Sequence, residues 1–397
     1  MSHKVTLMMY YLRFKIVFLL CFVCLQYSVI GFAKLRSSIP YQAGQVMMVG
    51  FEGTSVDDQS PIVQQIKKYH IGGVIIADHY VNYHNTGKPK TRNIISPDQL
   101  KKLISQLQYY AKKYHVYPLL IAVNQEGGQI TTLKSNKEFH LKLNDSQQTL
   151  GDHHRKLIFR QAYLTGKFLH QYGININFAP VAALNSNPDN PAIGLLGRTF
   201  GRDPHQVSRA IIATMKGYQA AGIACTLKHF PGMGSAIANT DYTGIVDVSS
   251  TWSLDELRPY QKAIASDAVC PLVMVSHIIN TRLDPQGLPA SLSYAIITRL
   301  LKEKLHYTGV VISDAIDVDA INQNFSLTEA ASLSIFAGSN IILYDGGHRE
   351  YPNMDIQSIY KMLCLLAKNN PNFRDSLLHS YKKVQQLKHI FFQRLEK

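Results

Sequence analysis

The sequence predicts a single α/β domain, a (β/α)8 barrel in which eight parallel strands alternate with helices. The chain has 397 residues, enough for one large barrel. Its short apolar runs are continuous rather than alternating, which is typical of strands buried on both faces of a parallel sheet. Amphipathic segments separate these runs, and their repeated alternation favours a closed barrel over a doubly wound sheet.

The predicted elements follow one another in a regular order along the chain. The strands are predicted at residues 46–50, 73–77, 119–123, 174–178, 224–228, 272–275, 310–313 and 340–344. The helices between them are predicted at residues 97–113, 153–171, 204–221, 254–266, 293–304 and 327–337. Residues 372–397 are predicted to form a basic, exposed amphipathic helix. No repeat or low-complexity linker interrupts this order, so residues 34–397 are predicted to form one domain.

The composition excludes several classes of protein. Hydrophobic residues make up 46% and charged residues 17% of the chain, which excludes an extended disordered protein. The 41 Lys and Arg residues exceed the 27 Asp and Glu residues and give a formal charge of +14. These cations are scattered in ones and twos and no nucleic-acid motif occurs, so we expect a cationic surface and no nucleic-acid partner. The irregular spacing of the five cysteines excludes a disulfide scaffold.

The first 33 residues have the parts of a secretory signal. Lys4, Arg13 and Lys15 precede an apolar stretch, and the small residues Gly31 and Ala33 suit a signal peptidase. The alternative is an uncleaved membrane anchor, because residues 16–33 carry no charge and are just long enough to span a bilayer. Either way we expect an exported protein, periplasmic or secreted, with any membrane contact made through this segment.

Three cysteines follow the predicted leader. Cys225, Cys270 and Cys364 are an odd number, and each lies in or near an apolar run. We therefore expect buried apolar residues rather than disulfide partners.

Polar residues follow five of the predicted strands, at the end of the barrel where catalytic groups collect. Because several strands share this feature, the sequence predicts a polyol-binding pocket. His153, His154 and the scattered remaining histidines lack ligand-like spacing among nearby cysteines or acids, and no nucleotide-binding glycine loop occurs, so we expect no metal and no cofactor. The polar strand ends are residues 124–128, 179–180, 228–232, 276–277 and 313–314.

These segments closely resemble the barrel of glycoside hydrolase family 3, in particular bacterial β-N-acetylglucosaminidases that act on cell-wall fragments. The most specific matches are the Lys-His-Phe-Pro-Gly string at residues 228–232 and the Ser-Asp pair at 313–314. Further matches occur in the family's order at residues 44–51, 124–128, 177–181, 197–201, 289–293, 309–312 and 337–338. The resemblance implies a single (β/α)8 barrel and a carbohydrate substrate, either an amino-sugar glycoside or a peptidoglycan or chitin-like fragment.

The resemblance also implies a retaining mechanism and assigns residues to it. Asp314 matches the carboxylate that attacks the anomeric carbon; the alternative for this residue is a helix N-cap. Lys228 and His229 match the family's sugar-binding pair. Arg198 matches the arginine of a conserved turn, with a loop-ordering ion pair to Asp203 as its alternative.

Other polar residues near these strand ends are not expected to react. Asp317 and Asp319 are expected to be solvated acids in the first turn of a helix. His277 is expected to brace the pocket wall.

The sequence departs from the family at the sugar-binding positions. Asn124 stands where the family usually has an aspartate that grips sugar hydroxyls; an asparagine keeps one acceptor and adds a donor. Gln129 and Thr132 replace arginines that often follow, and Met233 replaces a histidine. Substrate binding at Asn124 is therefore expected to survive with weaker charge-assisted hydrogen bonds.

The most serious departure lies in the loop that normally supplies an Asp–His acid/base. Counting forward from Gly234 places Asp241 at the histidine's position, whereas counting back from Gly244 places Tyr242 there. A carboxylic acid can take this role if burial and a neighbouring carboxylate keep it protonated near neutrality. We therefore hypothesise that Asp241 is the acid/base, with a solvated loop acid as the alternative.

Two functions of different classes follow from these matches and departures. The first is an exported exo-acting β-N-acetylhexosaminidase that uses a covalent glycosyl-enzyme on Asp314. The second is a catalytically weakened barrel kept as a carbohydrate-binding or structural protein. Asp314, Lys228, His229 and Arg198 favour the enzyme. The losses at the positions held by Asn124, Gln129, Met233 and Tyr242 or Asp241 favour the weakened barrel.

Overall fold

The computed structural model describes residues 35, 37–79, 91–116, 118–133, 139, 145–268, 270–346 and 352–392. The predicted leader at residues 1–33 lies outside the described residues. No helix in the described part of the chain is long and apolar enough to cross a membrane.

An eight-stranded parallel sheet forms the centre of the fold and closes into a barrel. Each strand pairs with the next along the chain, β1 also pairs with β8, and a bridge between Ile312 and Ile341 joins β7 to β8. All eight predicted strands are present, with ends shifted by a few residues. They are β1 Met47–Gly50, β2 Gly73–Ile75, β3 Leu120–Val123, β4 Ile176–Asn177, β5 Ala224–Phe230, β6 Leu272–Val275, β7 Val310–Ser313 and β8 Ile342–Tyr344.

Helices surround the barrel. The α-helices are α1 Ile39–Gln45, α2 Pro61–Tyr69, α3 Pro97–Lys113, α4 Gln147–Gly151, α5 Arg155–Gln171, α6 Pro204–Ala221, α7 Arg258–Ile264, α8 Asp319–Asn322, α9 Leu327–Ala337, α10 Pro352–Asn369 and α11 Pro371–Phe392. Short 3-10 turns cover Leu254–Leu257 and Ala290–Leu292, and a π-helical segment covers Ala295–Lys304. The predicted helices are confirmed, and the sequence analysis missed α1, α2, α4 and α10.

The C-terminal helix is only partly the exposed helix that the sequence predicts. Val384 and Leu387 of α11 are buried against the apolar side chains inside the barrel, among them Met48 and Leu272. This helix therefore covers one end of the barrel interior with its apolar face. Of its lysines, Lys382 is exposed, whereas Lys388 is buried and donates to Gln45 Oε1 at 2.9 Å.

Two of the cysteines correct the expectation of unpaired apolar residues. Cys225, on β5, and Cys270, two residues before β6, are both buried, as expected, but they are joined in a disulfide with Cα atoms 5.0 Å apart. Cys364, on α10, is half-buried rather than buried.

Candidate active site

A cavity of about 320 Å³ opens at the carboxyl ends of the barrel strands. Its volume lies at the lower end of the range for small-molecule sites, which suits one sugar ring better than a long chain. All of the predicted site residues, Asn124, Arg198, Lys228, His229, Asp241 and Asp314, line it. The charged groups along its wall include the carboxyl groups of Asp78, Asp241, Asp314 and Asp345.

A buried cluster of charges forms the floor beneath these groups. The Glu126 carboxylate accepts two hydrogen bonds from the Arg198 guanidinium, at 2.8 and 2.9 Å, and lies 2.7 Å from Lys228 Nζ. Lys228 Nζ also donates to Asn124 Oδ1 at 2.8 Å. Burial alone would raise the pKa of Glu126, but the two cations outweigh it and hold this pKa below its ordinary value.

Glu126 reaches this position because of a turn directly after β3. The segments Gln125–Gly127 and Ile130–Thr131 pair as a small antiparallel hairpin. Gly127 and Gly128 both have positive φ at its turn, a conformation that glycine adopts without steric cost. The hairpin thus directs a buried carboxylate toward the cations of β5 and the Arg198 loop.

The ion pair considered for Arg198 from sequence is wrong. Asp203 instead caps α6, since its carboxylate accepts from the backbone N–H groups of His205 and Gln206. Arg198 pairs with Glu126, and its Nη1 also donates to the carbonyl of Ala192 at 2.7 Å. The arginine is therefore fixed by three acceptors beside the cavity.

Asp314 follows β7 and is partly open to the cavity, with 20% of its side chain exposed. Its Oδ1 accepts from the N–H of Ala315, and its backbone N–H donates to Val275 on β6. The helix-cap alternative is wrong, because the next helix begins at Asp319 with Val318 at its N-cap. The carboxylate is therefore held at the barrel mouth with Oδ2 available to a ligand.

Two histidines flank Asp314. His229 Nε2 lies 4.0 Å from Asp314 Oδ2, and burial, with Lys228 and Arg198, lowers the pKa of His229 well below its ordinary value. His229 is therefore neutral at pH 7. His277 donates from Nε2 to the carbonyl of Ala315 and accepts at Nδ1 from the Ser291 hydroxyl. This contact supports the expectation that His277 braces the wall, because it fixes the backbone next to Asp314.

The loop after β5 brings Asp241 into the cavity. Asp241 lines the cavity, whereas Tyr242 is not among the described residues that do so. The carbonyls of Thr240 and Asp241 accept from the N–H groups of Ala320 and Asp319, just beyond Asp314. Burial opposes the charge of Arg198, but Glu126 outweighs it and raises the pKa of Arg198, and the carboxylates of Asp241 and Asp314 raise this pKa further. The forward count from Gly234 thus matches the geometry better than the backward count.

Asp317 is not the solvated acid that the sequence predicts. It is fully buried, and its two oxygens accept from the N–H groups of Asp345 and Gly346. It therefore fastens the segment after β7 to the segment after β8. Asp319 is partly exposed in the first turn of α8, as expected.

The family positions at which the sequence departs also lie at this cavity. Gln129, Thr132 and Met233 all line it, and Met233 is 3% exposed. The carbonyl of Met233 accepts from Asn190 Nδ2 at 2.7 Å. The methionine therefore contributes an apolar wall where the family's histidine would be polar.

Glu256 packs against the start of the loop that follows β5. This carboxyl is 1% exposed and accepts from the Ser186 hydroxyl at 2.8 Å and the Leu184 N–H at 3.3 Å. A side chain at Gly232 or Gly234 would collide with it, since added Cβ atoms would lie 2.7 and 2.6 Å from its oxygens. Burial raises the pKa of Glu256 to about 7, although its hydrogen bonds oppose this shift.

This raised pKa predicts a pH-dependent stability. The folded pKa exceeds the ordinary value of 4.5, so the stabilisation is complete below pH 4.5 and is lost as the pH rises toward 7. The free energy of unfolding should fall by about 3 kcal/mol over this interval through Glu256, and Glu256→Gln should remove that component. Urea unfolding at several pH values measures it, with exposed Glu303→Gln as the matched control. An unchanged pH slope in Glu256→Gln would contradict the prediction.

The sequence analysis missed four residues of the site. It did not single out Asp78 or His79, which follow β2, or Asp345, which follows β8 and pairs with buried Arg92 at 3.0 Å. It noted Glu126 only as part of a strand end. The available signal was position, because each of these residues comes within a few residues of a strand's carboxyl end.

The described residues show no set of side chains arranged as ligands for a metal ion. Within the described ranges, no group of three or more His, Cys, Asp or Glu residues is arranged to hold a metal ion.

The fold and the site define an α/β barrel with a sugar-sized cavity in which carboxylates face a buried cation cluster. The chain belongs to glycosyl hydrolase family 3: the model of the family's N-terminal domain matches residues 39–380. This match spans every barrel strand and every residue assigned to the site.

Several proteins similar to this chain are described as β-hexosaminidases or β-N-acetylglucosaminidases. The chain is 28% identical over 344 residues to β-hexosaminidase A of Pseudoalteromonas piscicida, covering 81% of this chain and 54% of that protein. It superposes with a TM-score of 0.77 on a family 3 β-N-acetylglucosaminidase from Paenibacillus sp. str. FPU-7, at 29% identity, covering 89% of this chain and 63% of that one. A β-N-acetylhexosaminidase from Beutenbergia cavernae DSM 12333 also has a TM-score of 0.77, at 26% identity, with 89% of this chain and 98% of that one covered. The chain thus spans about half of the first relative and nearly all of the third.

Proposed function

We propose that this protein is an exported, retaining β-N-acetylhexosaminidase that removes terminal N-acetylglucosamine-type sugars. The observation that carries the proposal is the Asp314 carboxylate, which is partly exposed in a cavity of about 320 Å³. The relatives described as β-hexosaminidases and β-N-acetylglucosaminidases support this substrate class. Peptidoglycan or chitin-like fragments are the expected natural substrates.

The reaction runs in two steps. In the first, an Asp314 oxygen bonds to the anomeric carbon while the glycosidic bond breaks and the leaving oxygen takes a proton from Asp241. In the second, Asp241 accepts a proton from water, the water oxygen bonds to the anomeric carbon, and the bond to Asp314 breaks. The sugar leaves with the configuration it had in the substrate.

The buried cluster holds the sugar during both steps. Lys228 and Arg198 present N–H donors at the cavity, and neutral His229 adds a ring nitrogen beside Asp314. Glu126 fixes both cations, so they need not reorganise when the sugar binds. Asn124 accepts from Lys228 through Oδ1, which leaves its amide N–H groups to donate to the sugar.

Asp241 is the acid/base in this proposal because it lines the same cavity and its loop is bonded to the start of α8, five residues beyond Asp314. Retaining enzymes place their two carboxyl groups about 5 to 5.5 Å apart. A bound sugar also excludes water from this space, which favours the protonated form of a carboxyl near an ionised one.

Asp241→Asn should lower kcat/KM most for substrates whose leaving group must be protonated as it departs. For an unactivated disaccharide we expect kcat/KM to fall by about 100-fold or more, and for an activated aryl glycoside by much less. Tyr242→Phe is the matched control, since Tyr242 is the neighbouring residue favoured by the backward count. Equal losses on both substrates in Asp241→Asn would exclude Asp241 as the acid/base.

A panel of 4-nitrophenyl β-glycosides that differ only in the sugar tests the activity itself. We expect turnover of the N-acetyl-β-glucosaminide to exceed that of the glucoside and the galactoside. Binding of N-acetylglucosamine without turnover of any member would contradict the enzyme and support the weakened barrel. The replacement of the family's acid/base histidine is the observation that favours this second function.

Export is proposed from the basic and apolar pattern of residues 1–33. The Cys225–Cys270 disulfide supports it, because structural disulfides are rare in reducing compartments. Cell fractionation and mass determination of the N-terminus test the proposal. A mature protein that begins at Lys34 supports a cleaved signal, and an intact N-terminus in the membrane fraction supports an anchor. Recovery from the cytoplasm with residues 1–33 present would contradict export.

A further inference from the structure

The cavity holds a carboxylate–imidazole pair that the proposed mechanism does not use. Asp78 and His79 follow β2 and both line the cavity. Asp78 Oδ2 lies 2.8 Å from His79 Nδ1, and the backbone N–H of His79 donates to Asp78 Oδ1 at 3.0 Å. Their side chains are 22% and 34% exposed, so both remain accessible to a ligand.

The order of strands places this pair across the cavity from the nucleophile. Two strands, β8 and β1, separate β7 from β2 on one side, and four strands separate them on the other. The loop that carries Asp241 is bonded to the start of α8, just beyond β7. The two catalytic carboxyl groups therefore belong to one side of the barrel mouth and the Asp78–His79 pair to the opposing wall.

A pyranose ring whose C1 meets Asp314 must point its C4 end away from Asp314. The hydroxyl groups on C4 and C6 then lie toward the ends of β2 and β3, where Asp78, His79 and Asn124 stand. The contact between His79 Nδ1 and Asp78 leaves Nε2 as the ring nitrogen available to a ligand. A ring nitrogen can exchange a hydrogen bond with a sugar hydroxyl, because a hydroxyl both donates and accepts.

We propose that the Asp78–His79 pair determines specificity at the non-reducing end of the sugar, with His79 binding the hydroxyl groups on C4 and C6. Asp78 acts through His79 as a positioning residue that fixes the orientation of the imidazole ring. This inference rests on the proposed function, because it takes the orientation of the sugar from Asp314.

Substrates that lack single hydroxyl groups test the proposal. The wild-type protein, His79→Ala, His79→Asn and Asp78→Asn are assayed on 4-nitrophenyl N-acetyl-β-glucosaminide and on its 4-deoxy and 6-deoxy analogues. His79→Ala should lower kcat/KM by about tenfold on the parent and by about twofold or less on the analogue that lacks the recognised hydroxyl. His79→Asn, which keeps a hydrogen-bonding group, should restore part of the loss. Asp78→Asn should show the same dependence on the substrate, with smaller losses of kcat/KM.

His153→Ala is the matched control, since His153 is exposed and lies away from the cavity residues. Equal losses on the parent and on both deoxy analogues would overturn the specificity role. The same variants are also assayed on aryl N-acetyl-β-glucosaminides with poorer leaving groups. A loss that grows as the leaving group becomes poorer would overturn the specificity role too, because it would indicate that His79 donates a proton. Failure of the wild-type protein to hydrolyse any aryl glycoside would instead reject the proposed function, which distinguishes the two results.

Discussion

Replacement of Asp314 by alanine is expected to lower kcat on an aryl N-acetyl-β-glucosaminide by at least about 1000-fold, while the protein stays folded. The loss follows because no other group in the mechanism bonds to the anomeric carbon. Asp314 accepts one short-range hydrogen bond from its neighbour's N–H and is partly exposed, so its removal should cost little stability. Steady-state kinetics with a thermal melt of each variant measure both quantities.

A small anion should rescue this variant in a way that identifies the missing group. The space left by the carboxylate admits azide, which can attack the anomeric carbon from the same side and release a glycosyl azide of inverted configuration. Asp319→Ala is the matched control, because Asp319 is a nearby aspartate in the first turn of α8 and is not a cavity residue. Wild-type rates in Asp314→Ala, or equal losses in both variants, would rule out Asp314 as the nucleophile.

Replacement of Glu126 by glutamine should destabilise the fold by about 3 to 5 kcal/mol, because it leaves buried cations without their counter-charge. Arg198 and Lys228 both depend on this carboxylate, and Lys228 is only 2% exposed. Burial lowers the pKa of Lys228 despite Glu126, so removal of Glu126 should favour loss of the lysine proton. The free energy of unfolding from urea titration measures the effect, with Glu303→Gln as the exposed control.

The lowered pKa of Glu126 predicts how the stability of the protein changes at low pH. The pKa of Glu126 is lowered from 4.5 in the folded protein, so its stabilisation is present above that pH and is lost as the pH falls through the folded pKa. Glu126→Gln should lack this component of acid destabilisation. A variant as stable as the wild type, with an unchanged acid limb, would show that the cluster contributes no net stability.

The fold could be predicted from sequence because its signal is local. Each barrel strand is a short apolar run buried on both faces, and this pattern is visible within a few residues. α3, α6 and α9 were predicted with their observed ends, and Pro97 and Pro204 mark two of these starts. α11 was predicted as an exposed helix because its sequence is basic and amphipathic, and only the barrel interior shows what its apolar residues cover.

The site could be predicted where family motifs mark it and not where contacts join distant segments. Asp314, Lys228 and His229 stand in specific strings, and all three line the cavity. The partner of Arg198 could not be chosen by proximity in sequence, because Glu126 is 72 residues away whereas Asp203 is nearby. From the sequence, Asp317 was expected to be a solvated helix acid, and the N–H groups that bind its carboxylate come from the distant segment after β8.

The central claim is that the Asp314 carboxylate forms a covalent bond to the sugar. An activated 2-deoxy-2-fluoro glycoside slows the second step more than the first and so accumulates the intermediate. Incubation of the wild-type protein with this reagent, followed by digestion and mass spectrometry, should add one fluoro-sugar to the peptide that contains Asp314 and none to Asp314→Ala. A label on another peptide, or turnover of the reagent with inverted configuration and no label, would contradict the account.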